Sequence, residues 1–174
     1  MECSEIIRLR DEHDKENEGE ISQEKEIGNR LRTTKILTKD DLLAMIRWKF
    51  DCDGRIRANE LRHANNVDEK LLEKVSNRVF NLDVNQDVER IELLRGFKGI
   101  GVAVASVVLT FFDPKNYCVF DFHVYQELFG MRPKYTTYEY VRLLSKLREE
   151  AGICNLSTRD VEKAYFRKNC QKSE

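Results

Sequence analysis

The chain reads as an all-α protein, and three observations predict it. Only two of its 174 residues are proline and eight are glycine, while 35% are charged, a composition that favours helices over turn-rich β-structure. Apolar residues recur at three- and four-residue spacings in nearly every segment, the period of a helix with one buried face. Helix-start signals, Ser, Thr or Asp with an acid in the first turn, precede several of these segments.

Taken in order, residues 1–33 are strongly charged. Ile6, Ile7, Leu9, Ile21, Ile27 and Leu31 mark one or two helices with a hinge near Gly19, and residues 11–20, almost without apolar side chains, read as disordered. Thr38-Lys39-Asp40-Asp41 caps a helix whose face is Leu42, Leu43, Ile46 and Phe50. Asp51-Cys52-Asp53-Gly54 breaks it. A calcium loop would need acidic ligands further on where Arg55 and Arg57 stand, so a helix C-cap turn is the better reading. Helices follow over Ile56–Ala64 and Asp68–Asn81, the second with Leu71, Leu72, Val75, Val79 and Phe80 inward.

After a turn at Asp83–Asp87, Val88, Ile91 and Leu94 give the apolar side of the next helix. Gly99-Ile100-Gly101 ends it, and Val102–Phe112 is apolar on nearly every side. Its β-branched residues would also suit a buried strand, but the glycine turn before it and the helical neighbours favour a central helix. Asp121 would cap a short helix ending at Gly130, Thr136 and Glu139 form a capping box opening a long one, and Ser157–Asp160 open the last, about nine helices in all.

Net charge is −1, but it is unevenly spread: residues 1–26 hold ten acids and four bases, net −6, leaving net +5 for the rest. Solvated helix faces account for most of these charges, and a basic body fits nucleic acid only weakly. The five cysteines, Cys3, Cys52, Cys118, Cys154 and Cys170, show no Cys-x-x-Cys spacing. With no signal peptide, they are expected to be reduced thiols of an intracellular protein, cytoplasmic or nucleoid/nuclear. No apolar run approaches the ~20 residues of a membrane span.

Chemistry concentrates between Leu94 and Val124. Phe97-Lys98-Gly99-Ile100-Gly101 has the look of two helices joined by a tight turn, whose second helix would present unpartnered amides and a positive dipole end to a phosphate. Some twenty residues on stands Phe120-Asp121-Phe122-His123-Val124. This pairing resembles the helix-hairpin-helix DNA glycosylase superfamily, which includes endonuclease III, MutY and the 8-oxoguanine glycosylases. The resemblance covers about Asp87 to Gly130.

It implies a two-lobed helical fold: residues 34–130 as a central barrel carrying the helix-hairpin-helix at about 88–112, residues 131–174 as C-terminal helices, and 1–33 packing with them. It further implies a monomeric DNA repair enzyme that hydrolyses the N-glycosidic bond of a damaged or deaminated base in double-stranded DNA, with no membrane role. Asp121 would be catalytic, its carboxylate stabilising positive charge on the sugar or activating water. Lys98, Gly99, Ile100, Gly101 and Val102 would hold the DNA backbone, with a monovalent cation on the hairpin carbonyls in some relatives.

Two departures matter. The four-cysteine iron–sulfur loop of several relatives has no counterpart, since only Cys154 and Cys170 lie near the end. Ala103 stands where bifunctional relatives carry a Schiff-base lysine, so a monofunctional enzyme without lyase activity is expected unless Lys98 or Lys115 substitutes. No metal is expected on side chains. Trp48 and Arg47 are candidates for a base-recognising wall, with Trp48 equally readable as core. Tyr117 and His123 are further pocket candidates, His123 more readily structural. A non-enzymatic DNA-binding module and a helical adaptor that has lost catalysis are the alternatives.

Overall fold

Ten α-helices and no strand make up the described residues, 1–50, 58–83 and 85–171, of a computed structural model. They are α1 (Cys3–Glu16), α2 (Glu18–Thr34), α3 (Lys39–Phe50), α4 (Ala58–Asn65), α5 (Glu69–Asn81), α6 (Asp87–Arg95), α7 (Val102–Phe112), α8 (Phe122–Phe129), α9 (Thr137–Cys154) and α10 (Thr158–Gln171). The expected all-α class is observed. The Asp51–Gly54 turn and its calcium alternative lie outside the described residues. Among the described residues no helix is long and apolar enough to cross a membrane.

The start signals act as their chemistry requires. Asp41 N donates to Thr38 Oγ1 at 3.1 Å, Leu71 N to Asp68 at 3.1 Å, Glu139 N to Thr136 Oγ1 at 3.2 Å, and Asp160 N to Ser157 Oγ at 3.0 Å. The β-branched run of α7 is helical, and ten of its residues, Val102 and Val104–Phe112, are buried. A helix apolar on every side belongs at the centre, and α2, α3 and α6 pack around it.

The N-terminal expectations need correcting. Residues 11–20 are helical apart from a break at Asn17, which also replaces the hinge expected near Gly19 and makes two helices of this segment. Partners far along the chain order it. α1 lies along α10, where Lys163 pairs with Asp14 at 2.9 Å and Arg167 with Glu16 at 2.7 Å. The acidic arm is thus the complement of a basic helix, a relation that local composition does not display. Arg159 of α10 reaches Glu24 of α2 at 2.9 Å, and these buried groups pair again with Glu162. Burial of unpaired charge is costly, so the cluster is tolerated because its members neutralise one another.

A second correction concerns the thiols. Cys3, the first residue of α1, is disulfide-bonded to Cys154, the last of α9, across 151 positions of sequence with Cα atoms 5.4 Å apart. Spacing along the chain could not reveal a pair made by packing. Cys118 is buried, which pushes its thiol well above the usual range and leaves it unreactive.

Candidate functional site

The segment before Asp121 is extended and fully buried. Phe120 N donates to Ser106 Oγ of α7 at 2.8 Å, Val119 N to Glu162 of α10 at 3.3 Å, and Tyr140 of α9 donates to Cys118 O at 3.0 Å. Three helices therefore fix the backbone that delivers Asp121. The aspartate then caps α8, one oxygen accepting from His123 N at 2.8 Å. Its other oxygen accepts from Lys49 Nζ at 2.5 Å, with the two side chains 15% and 11% exposed.

Burial raises Asp121, but Lys49 and the His123 amide outweigh it and hold the carboxyl below its usual range. Burial likewise lowers Lys49, and Asp121 outweighs it to hold the amine above its usual range. Both groups are charged at neutral pH. The depressed acid stabilises the fold above its ordinary pKa and loses that contribution as pH falls through its folded value. The raised amine does the converse, losing its contribution as pH rises through its own folded value.

Lys49 is the hinge of the site because it walls two cavities. The larger, about 420 Å³, is lined by Gly99, Gly101, Val102, Ala103 and Val104 on one side and Lys49, His63, Arg95 and Tyr135 on others. That volume is in the range of small-ligand pockets. The smaller, about 90 Å³, holds Asp121 with His13, Asn17, Trp48, Arg159 and Glu162. The expectation of an aspartate lying openly beneath the hairpin is corrected here: hairpin and carboxylate line separate cavities joined through Lys49.

At the hairpin, six residues join α6 to α7. The intrahelical ladder of α7 begins with Ala105 N bonding Gly101 O, and no side chain caps the helix. The amides of Val102, Ala103 and Val104 therefore lack helix carbonyls and sit in the wall of the larger cavity. Gly99 adopts φ +88°, and a Cβ there would stand 2.8 Å from His63 Cβ and 3.2 Å from Glu60 O. Gly99→Ala is expected to destabilise the protein by on the order of 1–3 kcal/mol, read as a lowered urea midpoint; an unchanged midpoint would show that the turn has another conformation. Ile100 is buried and Lys98 is exposed. Phe97 O and Gly101 O already accept from Ile100 N and Ala105 N, so the turn singles out no cation site and no step is derived through one.

The remaining candidates divide. Trp48 shares the small cavity with Asp121, but its ring meets Phe111 edge-on at 4.9 Å and lies under Arg159 at 5.3 Å. Its face is thus taken, although its Nε1 is buried without a hydrogen-bond partner. Arg47 points outward and lines neither cavity. Tyr117 is corrected from pocket to core: it is fully buried and donates to Asp87 at 2.8 Å. His123 bonds Asn169 of α10 at 2.7 Å and faces Phe166, outside both cavities. Among the described residues no group of three His, Cys, Asp or Glu is arranged to hold a metal ion.

Sequence reasoning missed the roles of Lys49, His63, Arg95 and Tyr135. No local signal marked Lys49 as the partner of an aspartate 72 positions away. Tyr135 carried a hint only in structure: it holds a left-handed backbone at φ 56°, 42% exposed, with its ring 5.0 Å from that of Phe120. Comparison with protein-family models, curated proteins and solved structures returned no match.

Proposed function

We propose that the protein is a DNA N-glycosylase that grips duplex DNA through the Phe97–Gly101 turn and releases a damaged or deaminated base using Asp121. The observation that carries this reading is the joining of two functions through Lys49. Unpartnered amides and cationic side chains, suited to a phosphate, line one cavity, and an ionised carboxylate, suited to a sugar cation, lines the next. Lys98, exposed at the turn, adds a contact to the backbone of the DNA.

The test is incubation with duplex oligonucleotides carrying uracil, hypoxanthine, 8-oxoguanine or alkylated purines, followed by alkaline cleavage. Strand breakage at one lesion supports the reading, and its absence at every lesion counts against it. One observation favours a non-enzymatic DNA-binding module instead: both oxygens of Asp121 already have donors. Such a module would bind duplex and fail the whole panel.

Gly101→Val separates grip from fold. A Cβ at Gly101 has nothing within 4 Å, so the variant is expected to unfold at the wild-type urea concentration. Its branched side chain would stand over the α7 amides, and affinity for duplex DNA should fall alike for every sequence. Fluorescence anisotropy at fixed salt reads this, and undiminished affinity would remove the turn as the anchor.

A further inference from the structure

We propose that Lys49 gives the protein a second activity, cleavage of DNA at abasic sites through an imine between its Nζ and C1′ of the ring-opened abasic sugar. The proposal rests on the reading that the Asp121 site acts on DNA. Absence of a lysine at position 103 had argued against any lyase, but that argument considered one point on the chain. In three dimensions Ala103 and Lys49 line the same cavity, so an amine from α3 occupies the space that a longer residue at 103 would enter. The other two lysines considered do not: Lys98 and Lys115 are both exposed, and neither lines either cavity.

Three features suit Lys49 to the step. Its amine is nearly enclosed, which shields an imine from competing water. It borders the cavity walled by the α7 amides, so a sugar whose phosphate met those amides would lie beside it. Its proton has an acceptor in place, Asp121 Oδ2 at 2.5 Å. The same carboxylate keeps the amine protonated at rest, so nucleophilicity appears only when that proton is handed over.

The balance is as follows. Asp121 takes one proton from the Lys49 ammonium. The freed nitrogen pair adds to C1′, and the carbonyl π pair moves to oxygen, which takes up a proton. Asp121 returns its proton to that oxygen, water leaves, and the nitrogen pair closes a C=N⁺ bond. Loss of a C2′ proton to a base then drives β-elimination, in which the C3′–O bond breaks and its electron pair departs with the 3′ phosphate. Water finally hydrolyses the C=N⁺ bond, restoring the amine and leaving an unsaturated aldehyde. No oxidant or reductant is needed.

The full chain would be incubated with a duplex whose abasic site was made beforehand by removing uracil, with sodium borohydride present to reduce any imine to a stable amine. A covalent protein–DNA adduct is expected, with mass spectrometry of the digested wild-type protein placing it on the Lys49 peptide. Lys49→Arg keeps a cation for Asp121 but cannot form the imine, and should lower the adduct roughly a hundredfold or more, whereas Lys115→Ala leaves it unchanged. No adduct, or an adduct mapped to another amine, overturns the proposal even if Lys49→Arg fails to fold. Base release without trapping retires the lyase alone. Trapping on Lys49 with no base released from any lesion retires the glycosylase and keeps the lyase.

Discussion

Asp121→Asn is expected to lower base release from the cleaved lesion by on the order of 10²–10⁴-fold while duplex binding stays near wild type. The amide keeps the shape of the carboxylate and an oxygen to accept from His123 N, so α8 remains capped. What it loses is charge. A neutral group stabilises a sugar cation poorly and accepts no proton from Lys49. The substitution also leaves the Lys49 ammonium, 11% exposed, without its carboxylate, and breaking a buried pair costs on the order of 3–5 kcal/mol. Release and stability must therefore be read separately, by single-turnover assay and by urea unfolding at the same temperature. Asp121→Asn/Lys49→Met removes both charges and is expected to recover much of the lost stability but none of the activity. Release at the wild-type rate from folded Asp121→Asn would take the carboxylate out of the mechanism.

The second large effect concerns the staple between Cys3 and Cys154. A cross-link spanning 151 positions removes much of the unfolded chain's freedom, about 5 kcal/mol at 25 °C in the chain-entropy treatment. Cys3→Ser, or reduction by dithiothreitol, is expected to lower the unfolding free energy by several kcal/mol. Ion pairs to α10 survive reduction and continue to hold α1 in place. Equilibrium unfolding with and without reductant measures the difference. Coincident curves would mean that the unfolded protein is already compact between these residues, or that the bond does not form.

These two experiments touch the parts of the molecule that sequence exposed to different degrees. Helix periodicity and capping residues act within four positions, so Thr38, Asp68, Asp121, Thr136 and Ser157 announced their helices correctly. The inward face of Asp68–Asn81 was legible for the same reason, with Leu72, Val79 and Phe80 buried. Leu71, counted on that face, is instead 49% exposed, since a stripe read from spacing alone has uncertain edges.

By itself, then, the chain determined an all-helical protein, the central place of Val102–Phe112, and an aspartate capping the helix after it, because those outcomes depend on near neighbours and on gross apolar content. Tertiary packing alone decided the rest: Lys49 beside Asp121, Cys3 bonded to Cys154, the acidic arm ordered along α10, and Tyr117 withdrawn into the core. Each joins residues at least 30 positions apart (Tyr117 and its acceptor Asp87 are the nearest). Charge, thiol and hydroxyl groups carry no label for a distant partner; they find it only when burial makes leaving them unpaired too costly.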